Sequence, residues 1–206
     1  MAANNFHSCL GFTLQQEGGW ANNPNDPGGC TMEGVTLATY QAFKGDSSLT
    51  CADLHGISSD EVAAIYEQDY WKPVHGDDLP VGVDLMVWDM AVNAGVGGSA
   101  RLLQATIGVT VDGGIGPKTM AAVMAVNPVT LINGLADRQA SYYKSLPNFK
   151  YFGNGWLNRV NARHAMALSM ASNASTVVQP SLPIAQRIDP TDTPPDSFFS
   201  WVQKLV

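Results

Sequence analysis

VDLMVWDMAVNA, residues 83–94, decides the fold. Met86, Val87, Trp88 and Met90 make this segment apolar on nearly every face. A helix of that kind lies at the centre of a protein rather than on its surface. Gly95-Val-Gly-Gly-Ser99 breaks it, and Ser99 is expected to cap the next helix, which runs through Leu102 and Leu103.

Working upstream, Ser58-x-x-Glu61 has the spacing of a capping box. It opens a helix carrying Val62, Ile65, Tyr66 and Tyr70 that ends near Trp71-Lys72-Pro73. A short helix is expected from Thr36 to about Phe43. Residues 20–34 are dense in Asn, Pro, Asp and Gly and read as a loop or a short irregular hairpin. Before them, Phe6, Cys9, Leu10, Thr13, Leu14 and Glu17 fall on one helical face, and Gly18-Gly19 stops that helix.

Downstream, Asp112-Gly-Gly-Ile-Gly-Pro117 is a turn feeding a helix with proline at its first position. Two longer helices follow, over about 128–146 and 155–172. From Asn173 the composition shifts to Ser, Thr and Pro, the mark of a tail or linker, and Phe198, Phe199 and Trp201 are expected to sit on a loose end. No internal repeat and no series of strands is evident. The fold class is mainly α, and 206 residues suffice for one domain with a tail.

The formal charge of −7 argues against a nucleic-acid partner. It is unevenly placed. Residues 1–90 carry 13 Asp and Glu against Lys44 and Lys72, whereas residues 91–172 carry seven Lys and Arg against Asp112 and Asp137. Either the second half presents a basic face to an anionic polymer, or the surface is simply mixed and solvated. The three cysteines, Cys9, Cys30 and Cys51, lack redox or zinc spacing. Buried free thiols are the default, with a Cys30–Cys51 bridge left open. His7, His55, His75 and His164 are scattered without metal-ligand spacing, so neither a metal nor another cofactor is expected. No window approaches a membrane span, and MAANNFHSCLGF has neither the charge nor the apolar run of a secretory signal.

Glu17 is the position with most chemical content. A carboxyl on an apolar stripe, one residue before a helix stop, is partly desolvated, and desolvation raises its pKa. A general acid for glycosidic cleavage needs that property. A last-turn Glu leaning into solvent is the plain alternative. Asp26 follows in Asn25-Asp26-Pro27-Gly28-Gly29, and Thr31 five residues later. Inverting glycosidases pair an acid with a second carboxylate across a water-sized gap, and a threonine hydroxyl can help hold that water. Asp before Pro-Gly is equally a common turn former. Asp89 is a rival second carboxylate, but a buried Asp satisfied by hydrogen bonds is the better reading of its apolar helix. Trp20, Tyr70 and Trp71 offer rings for sugar stacking, against core packing for the last two. Asn93 suits an N-acetyl group or a helix cap.

The ordered motifs resemble glycoside hydrolase family 108. They are Glu17-Gly18-Gly19-Trp20, Asn25-Asp26-Pro27-Gly28-Gly29, Thr31 and Gly34-Val35-Thr36, then Tyr66-x-x-x-Tyr70-Trp71 and Asp89-x-x-x-Asn93-x-Gly95. Leu103-Gln104 and Asp112-Gly-x-Ile115-Gly116-Pro-x-Thr119 complete the set, which spans roughly residues 6–172. Met32-Glu33 departs from the usual pattern.

The resemblance implies an N-acetylmuramidase with a lysozyme-like helical fold. Its catalytic half would be residues 1–78, its peptidoglycan-binding-like half 79–172 and its tail 173–206. Glu17 maps onto the family's acid, with Asp26 and Thr31 following the wider lysozyme-like pattern. Inversion is the expected outcome, and Trp20, Tyr70, Trp71 and Asn93 are the candidate substrate contacts. Peptidoglycan is the expected partner of a monomer that does not insert stably into membrane. The setting expected is a phage endolysin made in the cytoplasm and released to the wall by another component. A non-catalytic wall-binding protein and a lytic transglycosylase remain as alternatives.

Overall fold

The computed structural model describes residues 5–22 and 29–176. Asp26 and the expectations for the tail beyond Thr176 lie outside these residues. The chain runs through α1 (Phe6–Gln16), β1 (Ala21–Asn22), β2 (Cys30–Met32), β3 (Val35–Thr36), α2 (Leu37–Lys44), α3 (Cys51–His55) and α4 (Ser59–Tyr66). A π-helical turn, Glu67–Trp71, continues α4. Then come α5 (Val83–Ala94), α6 (Val96–Ile107), α7 (Pro117–Met124), α8 (Pro128–Ser145) and α9 (Phe149–Thr176). The architecture is mainly helical. No single helix among the described residues is long and apolar enough to cross a membrane.

α5 is the axis of the molecule. Every residue from Val83 to Ala91 is buried, and α1, α6, α8 and α9 all pack on it. Trp88 lies edge-on to Phe6, Tyr66 and Trp71, with ring centroids 6.0, 6.2 and 5.8 Å away. Truncating a buried aromatic to alanine costs about 3–5 kcal/mol, so this cluster anchors α1 and α4 to the axis. One apolar core runs through both halves of the chain.

Ala21–Asn22, Cys30–Met32 and Val35–Thr36 form a small antiparallel sheet, ordered β1-β2-β3. Thr31 of β2 stands opposite Ala21 on one side and Thr36 on the other. Glu33 and Gly34 turn the β2–β3 hairpin with φ of 49° and 78°. Two positive φ values in a two-residue turn match the right-handed twist of the strands. Thr36 then caps α2, its hydroxyl accepting from the Thr39 N–H at 3.1 Å.

Three sequence expectations change. Cys30 and Cys51 form a disulfide that ties β2 to the start of α3, so the free-thiol default holds for Cys9 alone, whose thiol burial keeps protonated. Ser99 does not cap α6, which already begins at Val96; its hydroxyl donates instead to the Val87 carbonyl of α5. α9 starts at Phe149 rather than near residue 155, and the Phe149 ring packs where Gly153 has no side chain, 2.6 Å from the place a Cβ would take.

Candidate active site

α1 ends where the sequence places its stop. Glu17 is the C-cap, in extended conformation, and its N–H still donates to the Thr13 carbonyl at 3.0 Å. The turn out of the helix leaves the Glu17 side chain 9% exposed, at the edge of the core. The β2–β3 turn covers it: a Cβ built on Gly34 would lie 3.1 Å from Glu17 Oε2 and 2.4 Å from the Tyr66 hydroxyl oxygen. That hydroxyl donates to the Glu33 carbonyl at 2.9 Å, pinning the turn to α4.

Below Glu17 lies a buried network of charges. Arg159 of α9 donates from Nη1 and Nη2 to Glu17 Oε1, at 3.0 and 3.1 Å. The same guanidinium donates from Nε and Nη2 to the two oxygens of Asp89, at 3.1 and 2.7 Å. Asp89, on α5 and 0% exposed, also accepts from Arg163 at 2.5 Å and from the Thr13 hydroxyl at 2.7 Å. Arg163 in turn donates to the Gln139 side-chain oxygen at 2.7 Å. Asp89 is thus a fully satisfied structural carboxylate. Although burial pushes its pKa up, the two guanidinium groups and the Thr13 hydroxyl outweigh it and hold the carboxyl down at about 2.

Glu17 shifts the other way. Loss of water raises its pKa, Arg159 opposes by charge and by hydrogen bond, Asp89 adds to the rise, and the sum is upward. The group is therefore buried and oriented, and its pKa is shifted in the direction that suits proton donation.

The other expected site residues divide. Thr31 sits half-buried in the strand beside the Gly34 turn. Tyr70 is half-buried, its ring 5.8 Å from that of Tyr66, and burial raises its pKa, with Asp69 and then Glu17 adding to the rise. Trp20 is 37% exposed and stands edge-on to His55 at 4.7 Å, leaving ring surface in solvent. Trp71 has no face free for a sugar. It is 1% exposed, Gly76 lies against its ring, and its Nε1 donates to Asp77. Asn93 donates to the Asp89 carbonyl at 2.6 Å, one turn back along α5, and so braces that helix.

Arg159, Arg163, Tyr66 and Gly34 were not singled out from the sequence as site residues. The signal for the arginines was there: they are four apart on the stripe that carries Trp156, Val160 and Ala167, so both must be buried and both need anions. Their burial also shrinks the basic face. Two of the seven cations of residues 91–172 face inward, leaving Arg101, Lys118, Arg138, Lys144 and Lys150 exposed. Gln104 explains the glycine turn of the second half. Its amide donates to Asp112 and to the Gly114 carbonyl, and its oxygen accepts from the Gly113 N–H. That network is structural.

A desolvated carboxyl at a helix end, roofed by a hairpin turn in a helical body, has the environment that general-acid chemistry requires. The profile of the family described as Glycosyl hydrolase 108 matches residues 10–95, and that of the Predicted Peptidoglycan domain matches residues 99–161. Among solved structures, that of Brucella abortus SagA is 36% identical with a TM-score of 0.75, covering 84% of this chain and 99% of that one. No curated protein matches by sequence. The chain belongs to glycoside hydrolase family 108, and its activity is of the peptidoglycan-hydrolysing, muramidase type.

Proposed function

We propose that the protein hydrolyses the β-1,4 bond between N-acetylmuramic acid and N-acetylglucosamine, with Glu17 donating a proton to the leaving oxygen. The observation that carries this reading is the Glu17 carboxyl itself: nearly buried at a helix end, held by Arg159 at Oε1, with Oε2 against the Gly34 turn of the small sheet. Asp26 orients or deprotonates the attacking water with help from Thr31, and the product is inverted. Trp20 and Tyr70 provide the aromatic surface for sugar rings. The protein acts as a monomer, as a phage endolysin brought to the wall by another component.

Digestion of purified peptidoglycan with mass analysis of the fragments tests the bond and the chemistry together. Hydrolysis leaves a reducing N-acetylmuramic acid end, whereas an anhydro-sugar product would mark a transglycosylase instead. Glu17→Gln keeps the side chain's size but cannot give up the proton. General acid help is worth about 10² to 10⁴ in rate, and a loss of at least that size is expected in a protein with unchanged circular dichroism. A folded Glu17→Gln variant of normal activity would remove Glu17 as the acid.

A further inference from the structure

We propose that Arg159 is the positioning residue of the reaction: its guanidinium fixes Glu17 Oε1 as the acceptor oxygen, so that the proton is carried, and delivered, by Oε2. The inference rests on the reading of Glu17 as the acid. It goes further by making the half of the chain matched to a wall-binding domain part of the catalytic apparatus, since Arg159 lies within residues 99–161 while Glu17 and Asp89 lie within 10–95.

Both Nη atoms of Arg159 donate to the same oxygen, Oε1. A carboxyl oxygen has two lone pairs, and two charge-assisted N–H donors engage both. The proton of the neutral acid must therefore sit on Oε2. That oxygen lies under Gly34, where the turn packs so closely that only glycine fits; a Cβ would stand 3.1 Å from it and 2.4 Å from the Tyr66 hydroxyl oxygen. The Tyr66 hydroxyl spends its proton on the Glu33 carbonyl. Arg159 itself cannot swing away, because Asp89 grips it through Nε and Nη2 and is in turn fixed by Arg163 and Thr13.

The charge count favours proton transfer. With Glu17 neutral, Arg159 and Arg163 face Asp89 alone, and one positive charge is buried without a partner. As the C–O bond to the leaving sugar breaks, its electron pair goes to oxygen, the Oε2 proton joins that oxygen, and water adds at the anomeric carbon, losing its own proton to the base. Glu17 becomes a carboxylate and the cluster becomes neutral. Arg159 thus stabilises what the proton donor turns into, and the Asp89 charge and loss of water hold the proton until then. The charged and titratable groups facing Glu17 are Arg159 from α9, Asp89 from α5, and Tyr66 and Tyr70 from α4 and its π-helical turn.

The test is the pH profile of kcat on soluble peptidoglycan fragments for the wild type, Arg159→Gln, Arg159→Lys and Glu17→Gln. Arg159→Gln is expected to lower kcat roughly 10²-fold, as misplacement of a reacting group does, with little change in KM. Its alkaline limb moves to higher pH, because the cation that favoured ionisation of Glu17 is gone. Arg159→Lys, which keeps the charge, returns the limb towards the wild-type position. A folded Arg159→Gln protein whose limb stays put or moves to lower pH overturns the proposal. An active Glu17→Gln protein overturns the acid assignment beneath it, so the two failures are distinguishable. Should Arg159→Gln not fold, the infrared difference between wild type and Glu17→Gln decides on the intact site. A protonated Glu17 whose carbonyl accepts two N–H bonds absorbs at the low end of the carboxylic range. A band at the free-carbonyl position would overturn the assignment of the two oxygens.

Discussion

Asp89 is a formal charge with no exposure, on a helix whose neighbouring side chains are apolar. Such a group survives only if every oxygen is engaged, and the engagement has to be reciprocal. Removing it as Asp89→Ala leaves Arg159 and Arg163 buried without their anion, which costs about 3–5 kcal/mol; thermal unfolding should show the loss directly. The same carboxyl sets a pH limit. Its folded pKa, about 2, lies below the ordinary 3.8, so its contribution is full above the ordinary value and disappears as pH falls towards 2. Acid titration of stability is expected to be steep between those values, and less so in Asp89→Asn. Glu17 has the opposite sign: its raised pKa means that raising the pH works against the folded state and against proton donation alike. At this scale the sequence showed that Glu17 and Asp89 would lose water but not what faced them. The desolvation of Glu17 and Asp89 could be read from periodicity, whereas Arg159 meets them across 142 and 70 residues of chain, a separation on which local patterning is silent.

Among the elements, α5 was legible to its end residues, because an all-round apolar run bounded by Gly82 and Gly95 has few other solutions. α4 was legible from its cap, where Ser58 and Glu61 exchange the expected hydrogen bonds. α3 was not, and the strands were legible only as a loop or a short irregular hairpin without bounds. Segments of two to five residues have no period to detect, and these are held by tertiary bonds, above all by the Cys30–Cys51 disulfide. That bond closes a loop across a separation of 21 residues, worth about 3 kcal/mol by chain entropy, or a melting temperature roughly 6–12 °C higher for a protein this size. Reduction, or Cys51→Ser, should lower the melting temperature by that order. It should also slow cleavage, because β2 leads directly into the Glu33-Gly34 turn over the Glu17 carboxyl. Melting curves and digestions run with and without reductant measure both effects, and curves that superimpose would exclude the bridge as a support of the sheet.

For the whole molecule, the two family matches meet between residues 95 and 99, yet the structure has no seam there. α5 belongs to the first match and is covered by helices of the second. Gln139 of α8 donates to the Met86 carbonyl, Tyr143 approaches the Met90 sulfur, and both arginines of α9 close on Asp89. Cutting the chain at residue 95 would strip α5 of α6, α8 and α9, expose its apolar faces, leave Asp89 without its cations and free Glu17 from Arg159. Each loss alone is worth several kcal/mol against a total stability of about 5–15 kcal/mol. We therefore expect residues 1–95, although they hold Glu17, Asp26 and Thr31, to show no cooperative melting transition and no cleavage of purified peptidoglycan. Circular dichroism melting and the digestion assay check the two halves of that statement separately. A fragment 1–95 that melted cooperatively and cut the wall would show that the second half only tethers the enzyme. The buried ion pairs that cross between the halves argue that it builds the site instead.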